Sequence, residues 1–329
     1  MNYIGSKLRL MPFLIETIEN TVGGFKTFCD LFAGTGIVAM KFNERGYNVV
    51  SNDIQYYSFV INKFRLSAKS DSDLFEAKQI AKYLNSLHGR VGFIYQNFCS
   101  GSGSGRLYFS DENGKRCDSM RTELEYMRKH NAMSEHMYFW LLGSLINSAD
   151  SCANTASSYE AFLKQLKPSA QKELELRLLD IPNSVNSGIV YQEEASELLE
   201  NISGDVLYLD PPYNKRQYSN VYHVLETIAR YDDPEIVLKA GKRKDAFKSA
   251  FCFKRRAKQA LDDLCSKANF KYIFLSYNNE GHMLPNEIME TMSKYGTYGV
   301  ATTRHRRFER MRYTERRFTT EYLHYIKKG

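Results

Sequence analysis

The 329-residue chain is poor in several residue types, and each shortage excludes a class of protein. No window approaches the roughly 18 consecutive apolar residues of a membrane helix. The start, Met1-Asn2, is polar, so neither a signal peptide nor a membrane span is expected, and a cytoplasmic location follows. Six cysteines are scattered without a Cys-x-x-Cys pair, and seven histidines are dispersed with none at zinc-finger spacing. Reduced structural thiols and no bound metal are therefore expected. No internal repeat is evident. The fingerprint Gly-x-Gly-x-x-Gly is missing, because Ala39 stands where its third glycine would be, and there is no phosphate-binding Gly-Lys-Ser/Thr loop. Disorder is also excluded, since 43% of the residues are hydrophobic and the length suffices for a sizeable core.

What is present is concentrated in two short segments. The first is Asp210-Pro211-Pro212-Tyr213, which follows the apolar run Val206 to Leu209 and so sits where a buried strand ends. Two prolines fix φ and remove two backbone donors, leaving the carbonyls and the Asp210 carboxylate directed into one small space. A planar base can stack on Tyr213 there while its exocyclic amine donates to Asp210 and to the Pro211 carbonyl. The same tetrapeptide also reads as an ordinary turn after a strand. The second segment, Asp30-Leu31-Phe32-Ala33-Gly34-Thr35-Gly36, reads as strand, glycine turn and helix, with Phe25 to Cys29 before it and Ile37 to Arg45 after it. Its glycines allow close backbone approach to a ligand. About 20 residues on, Asp53 closes a second apolar strand, where its carboxylate can accept from both hydroxyls of a ribose. A nucleoside ligand without a phosphate fits this set better than NAD or ATP.

Strand-like segments occur early and late, at Gly188 to Gln192, Val206 to Asp210, Tyr272 to Tyr277, Tyr298 to Thr303 and Thr320 to Ile326. The middle reads as helical, over Ser70 to Leu87, Ser119 to Lys129, Glu135 to Ser148 and Ser169 to Leu179, with a flexible, exposed run from Ser100 to Gly105. This order predicts an α/β, Rossmann-like doubly wound sheet with a largely helical insertion: a discontinuous domain of residues 1–66 and 186–329, split by residues 67–185. The ligand site is expected beyond the carboxyl ends of the strands, where Phe32, Asp53 and Asp210 converge.

The formal net charge is +7, and its distribution is more informative than its size. Between Thr303 and Phe318 lie seven arginines, among them Arg304, Arg306, Arg307, Arg310 and Arg312, interleaved with Phe308, Tyr313 and Phe318. Arginine forks hold phosphate oxygens bidentately and aromatics stack on exposed bases, although a charged strand edge has the same look. A second cluster runs from Lys239 to Lys258 and includes Lys254 and Arg255.

In order and content these segments resemble the Dam-like DNA adenine methyltransferases. Tyr3-Ile4-Gly5-Ser6-Lys7 is similar to that family's opening Tyr/Trp-x-Gly-x-Lys, and Asn52-Asp53 to its ribose-binding acid. Asn214 to Tyr218 with Tyr222-His223, Asn154 to Ser157, and Leu275 to Gly281 resemble the branch containing FokI-type modification methylases and those acting on CATG. The resemblance implies a class I methyltransferase that uses S-adenosylmethionine and modifies the 6-amino group of adenine in a short sequence of double-stranded DNA. It also implies the modification half of a restriction-modification system, acting as a monomer with any endonuclease working separately. Cofactor contacts are implied for Tyr3, Lys7, Asp30, Phe32, Gly34, Gly36, Asp53, Glu194 and Asp210. Glu194 stands where that family usually has Asp. Catalysis is implied for Asp210, Pro211, Pro212 and Tyr213, with DNA contacts at Arg216, Lys254, Arg255 and the arginines from Arg304 to Arg312. Target recognition is implied for the insertion. Three competing readings share parts of this pattern: an RNA adenine methyltransferase, a protein-glutamine methyltransferase and a catalytically silent DNA-binding module. Protein-methylating relatives show Asn in place of Asp210, which disfavours the second.

Overall fold

The computed structural model describes residues 5–67, 70–181, 186–306 and 318–329, with the side chains of His305, Arg306 and Phe318 left aside. The helices are α1 (Met11–Val22), α2 (Ile37–Asn43), α3 (Tyr56–Arg65), α4 (Asp71–Ser86), α5 (Phe93–Phe98) and α6 (Asp111–Lys129). They continue with α7 (Glu135–Cys152), α8 (Ala195–Leu198), α9 (Tyr218–Val221), α10 (His223–Arg230), α11 (Lys254–Lys267) and α12 (Pro285–Met292). The main sheet contains β1 (Thr27–Asp30), β2 (Asn48–Asn52), β3 (Ile189–Tyr191), β4 (Ser203–Leu209), β5 (Asn269–Asn278), β6 (Thr297–Arg306) and β7 (Phe318–Lys327).

The chain divides into two compact units. One carries the sheet and comprises Ser6–Ile54, Ser184–Gln217 and Lys248–Gly329. Its seven strands lie in the order β3-β2-β1-β4-β5-β7-β6. The first five are parallel, and β7 runs antiparallel to both of its neighbours. The four residues that end β4 are all buried, as expected of a parallel strand covered on both faces. Order reverses between β1 and β4, because the chain winds outward from β1 to β3 and then returns. That reversal opens a crevice at the strands' carboxyl ends, the ligand position in open α/β sheets. The doubly wound sheet expected from the sequence is present.

The helical unit comprises Gln55–Asn183 and Tyr218–Phe247, together with the opening residues through Gly5. It therefore takes in α3 and, after the Asp-Pro-Pro-Tyr turn, the whole of 218–247, which a division at residues 66 and 186 does not. Its centre is α7, buried on nearly every side. Trp140 of α7 stacks on Phe64 at 5.7 Å. Ser70 caps α4 with a reciprocal capping box to Asp73, as the acidic start of that segment predicts.

The helix expected over Ser169 to Leu179 is not formed; only Pro168–Ala170 makes a 3-10 turn. Side chains from three helices capture this backbone instead. Asn113 Oδ1 accepts from Leu174 N, Asn85 Oδ1 from Leu176 N, Ser148 Oγ from Arg177 N and Ser144 Oγ from Leu179 N. The carbonyls of Leu174 and Leu179 accept from Arg116 and Trp140. With its polar groups satisfied from outside, the segment gains nothing by coiling. The run from Ser100 to Gly105 is likewise tied down: Ser102 and Ser104 hydroxyls donate to Cys99 O, and Gly101 N donates to Asp111.

All six cysteines are buried free thiols. Among the described residues no helix is long and apolar enough to cross a membrane, and no group of three His, Cys, Asp or Glu side chains is placed to hold a metal.

Two buried histidines predict an acid limit to stability. His223 donates from Nε2 to Tyr159 O at 2.8 Å, and His324 Nδ1 shares a hydrogen bond of 2.6 Å with Tyr298 Oη. Burial pushes each pKa down to about 4 from 6.5. Between those values the unfolded chain binds more protons than the folded one, so stability rises with pH across the window and is lost as pH falls through it. Urea midpoints should drop between pH 7.5 and pH 5 by the equivalent of about 2 kcal/mol per ring. Replacing both rings with Phe should flatten that slope.

Candidate active site

The glycine turn between β1 and α2 needs positive φ at two positions, +51° at Gly34 and +71° at Gly36. Both lie in the left-handed region that side chains resist. The turn is tied to both flanking strands: Leu31 N donates to Tyr208 O (3.1 Å) and Ala33 N to Asn52 O (2.9 Å). Asp53 Oδ2 accepts from Gly34 N at 2.8 Å. The acid expected to hold a ribose is thus fixed against the glycine turn, in a residue that is partly buried. The ring of Phe32 is partly exposed and packs edge-on against Phe251 at 5.7 Å.

Asp30 is buried at the end of β1. Its Oδ2 accepts from Ala39 N at 3.2 Å, while Oδ1 has no hydrogen-bond partner. Burial, reinforced by the Asp210 and Asp53 carboxyls, holds its pKa well above the ordinary range. Glu194 follows β3 but turns to its own helix: Oε2 accepts from Ser196 N (2.7 Å) and Glu197 N (3.2 Å), capping α8.

Asp210 emerges from β4 at the crevice and pairs with Lys7, Oδ1 to Nζ 3.0 Å, with the two side chains 18% and 7% exposed. Burial raises the Asp210 pKa and Lys7 opposes the rise. For Lys7, burial disfavours the ammonium, yet Asp210 and Glu321 outweigh it and the pKa is raised. Pro211 is buried and Tyr213 half-buried. Tyr213 is braced by Tyr277 at 6.1 Å, and its carbonyl accepts from His282 N at 2.9 Å. Lys7, Asp30, Phe32, Gly34, Gly36, Asp53 and the tetrapeptide therefore all belong to the sheet-bearing unit, at the carboxyl ends of its strands.

Three residues to which the sequence assigned no role of their own, two of them inside segments quoted for the resemblance, also shape this edge. Buried Asn52 donates from Nδ2 to Leu31 O and Glu193 O and accepts at Oδ1 from Glu193 N, joining the loops after β1, β2 and β3. Its adjacency to Asp53 is the one local signal. Asn278 ends β5, and Glu321 lies opposite it on β7. Asn278 falls in the Leu275 to Gly281 segment already quoted, whereas no local pattern marks Glu321, whose position depends on strand order.

Of the predicted cofactor contacts, Tyr3 lies outside the described residues. The predicted DNA-contact residues fare unevenly: Arg307, Arg310 and Arg312 also lie outside them, as does the side chain of Arg306. Arg304 is exposed on β6, and Arg216 is exposed just after the tetrapeptide. Lys254 and Arg255 are exposed in the first turn of α11, which has no acidic residue there. Cations oppose the helix dipole at that end, so their placement costs stability unless an anion covers it. The wider Lys239 to Lys258 cluster is divided between the two units. Its first part falls in the helical unit, where Arg243 is buried in ion pairs with Asp232 and Asp245.

This donor set fits S-adenosylmethionine. A carboxylate stands beside the glycine turn for vicinal hydroxyls, an aromatic ring offers an apolar face, and buried Asp30 Oδ1 awaits a donor.

Comparison with known proteins places the chain in a family. The profile described as D12 class N6 adenine-specific DNA methyltransferase matches residues 3–292. Type II methyltransferase M.NlaIII of Neisseria lactamica is 44% identical over 335 residues, covering 100% of this chain and 99% of that protein. Type II methyltransferase M.CviAII of Paramecium bursaria Chlorella virus 1 is 31% identical, covering 99% and 98%. Type II methyltransferase M.FokI of Planomicrobium okeanokoites is 36% identical, and this chain spans 53% of its length.

Proposed function

Because the chain belongs to the D12 class of N6 adenine-specific DNA methyltransferases, we propose that its sheet edge holds the flipped adenine against Asp210 and Tyr213 beside the methyl donor. S-adenosylmethionine is that donor, and when bound it supplies an electrophilic methyl carbon. Asp53 and the Gly34–Gly36 turn hold its ribose, Phe32 its adenine ring, and Lys7 with Asp30 the opposite end. The target amine donates to Asp210 and to the Pro211 carbonyl while the base stacks on Tyr213. With the methyl supplied from the sulfonium, the amine nitrogen would gain the N–C bond and, as its positive charge develops, release one proton past Asp210 to solvent. Asp210 need not be a strong base; it accepts a hydrogen bond and stabilises that charge. Orientation is the larger contribution, worth up to roughly 7 to 11 kcal/mol in well-aligned systems. Base flipping costs about a few kcal/mol, part of which stacking on Tyr213 offsets.

The observation that carries this reading is the buried Lys7–Asp210 pair at the switch point of the sheet, on the edge that bears Asp53. We assign duplex DNA as partner, contacted through Arg216, Lys254, Arg255, Arg304 and the arginines that follow. Residues 67–185 are assigned to target recognition. By its likeness to type II methylases, the enzyme serves as the modification half of a restriction-modification system, working in the cytoplasm as a monomer. CATG is the first sequence to test. The deciding experiment incubates the protein with labelled S-adenosylmethionine and, in parallel, unmethylated duplex DNA or RNA, and maps the label. N6-methyladenine confined to one short motif is the expected product. Label in RNA alone, or cofactor binding without transfer, would replace the reading with an RNA enzyme or a silent binder.

Two further outcomes follow. Asp53→Ala should weaken S-adenosylmethionine binding by about 10- to 100-fold in calorimetry, because it removes a charge-assisted acceptor and a tether of the glycine turn. The double reversal Lys254→Glu with Arg255→Glu should weaken duplex binding. It should also reduce the log-log salt slope by about 2, each phosphate contact contributing about 0.9.

A further inference from the structure

The loop after β5 carries His282, which the proposed mechanism does not use and which bonds to two other segments of the sheet-bearing unit. The loop folds back on β5: Gly281 N donates to Asn278 O at 3.2 Å, and Met283 N donates to Tyr277 Oη at 3.3 Å. His282 is held between these anchors and is only partly exposed. Its backbone N–H donates to Tyr213 O at 2.9 Å, and its ring Nε2 lies 3.2 Å from Cys252 O. A carbonyl oxygen can only accept, so Nε2 carries the proton and donates.

Cys252 ends the 3-10 turn Ala250–Cys252, just before α11. Two further ties join this stretch to the chain beyond the tetrapeptide. The Gln217 side-chain amide closes a ring with the Ser249 backbone: Nε2 donates to Ser249 O at 3.2 Å, and Oε1 accepts from Ser249 N at 2.8 Å. Cys252 Sγ donates to Arg216 O at 3.3 Å. Between them Phe251 packs edge-on against Phe32, the ring assigned to the cofactor. Residues 249–252 are thus a block fixed against the cofactor loop and the exit of the Asp-Pro-Pro-Tyr turn. Gln217 and Cys252 tie this block to positions beyond Tyr213, whereas His282 ties it to Tyr213 itself.

We propose that His282 is a positioning residue of the methyl-transfer reaction: with its ring anchored on Cys252 O, it holds the Tyr213 carbonyl, and so sets the Tyr213 ring on which the flipped adenine stacks at a fixed place relative to the cofactor loop. This rests on the adenine methyltransferase reading. It is independent of which DNA sequence is recognised.

The test is single-turnover methylation of a duplex carrying the mapped target, at saturating cofactor and DNA. It compares the unmodified protein with His282→Leu, His282→Gln, Tyr213→Ala and the double variant His282→Leu with Tyr213→Ala. Leucine keeps bulk and removes the ring donor, while glutamine carries an amide donor about as far from the backbone as Nε2. The rate of His282→Leu should fall roughly 10- to 100-fold, the cost of a small misalignment at a reacting centre, with cofactor and DNA affinities changed less than about threefold. His282→Gln should recover most of that rate. In the Tyr213→Ala background the leucine substitution should cost less than about threefold, because two residues acting through one contact are not additive. An unchanged rate in His282→Leu overturns the proposal, as does an equal loss in His282→Gln. A full loss repeated in the Tyr213→Ala background overturns it too, since His282 would then act elsewhere. So does a His282→Leu protein that loses folding or cofactor binding along with the rate, which would mark a purely structural residue. If the unmodified protein places no methyl on adenine, the functional reading itself fails and this inference falls with it.

Discussion

Asp210→Ala is expected to lower methyl transfer by about 10³-fold or more while S-adenosylmethionine binding stays measurable. Removing one preorganised hydrogen-bonding group at a developing charge costs about 10²–10³ in rate in well-studied sites. Here the same carboxylate also orients the amine and balances Lys7. The substitution has a second consequence that must be separated from the first. Lys7 is 7% exposed and its Nζ sits 3.0 Å from Asp210. Truncating Asp210 leaves an ammonium buried beside a neutral neighbour, and breaking a buried pair in this way destabilises by about 3–5 kcal/mol. The double variant Lys7→Met with Asp210→Ala removes both charges. It should regain most of the melting temperature and none of the activity. If the double variant regained transfer, Asp210 would be a partner of Lys7 only, and the mechanism would need another acceptor for the amine.

The second large effect is on stability. Arg121 of α6 is 2% exposed and is committed almost wholly to the end of another helix. Its Nε donates to Ile228 O at 3.0 Å and Nη2 to Ala229 O at 3.1 Å, the unsatisfied carbonyls at the end of α10. Nη1 pairs with Glu125 at 3.1 Å, and the guanidinium lies 5.4 Å from the Tyr231 ring. The final carbonyls of a helix carry its negative pole, so a cation there gains twice, from hydrogen bonds and from the dipole. Arg121→Ala orphans those carbonyls, leaves Glu125 to one remaining arginine and opens a cavity. A loss of about 3–5 kcal/mol is expected. For a unit of this size that is a fall of roughly 10 °C in the melting transition of the helical unit. Calorimetry on the intact protein checks it, and a shift under about 2 °C would mean that water replaces the guanidinium at little cost. α10 follows directly on the segment after Tyr213, so the variant should also lose activity at temperatures where the sheet unit remains folded.

Much of the site is legible in short stretches of the chain. The glycine turn, Asp53 and the Asp-Pro-Pro-Tyr segment are local signals: each is a strand end followed by residues with unusual backbone freedom or restriction, and each forms where its own neighbours dictate. The sheet strands are legible for the same reason, since apolar runs of the right length have few other uses. The Ser169 to Leu179 segment shows the limit. Its helical spacing is real, but Asn85, Asn113, Ser144 and Ser148 come from three other helices and capture its backbone in extended form. Arg243 shows it again, being one more cation in a basic stretch until Asp232 and Asp245 enclose it.

The sequence by itself determined the chemistry offered: an acceptor with a rigid proline turn, a glycine turn with an acid at ribose spacing, and a lysine near the start. These are sets of adjacent residues, and short-range sterics and hydrogen bonding suffice to place them. Only the tertiary structure decided which charges act together. Lys7 and Asp210 stand far apart in the chain. They pair at 3.0 Å because the fold brings the end of β4 against the segment that precedes α1, and their burial turns two distant charges into one interacting pair.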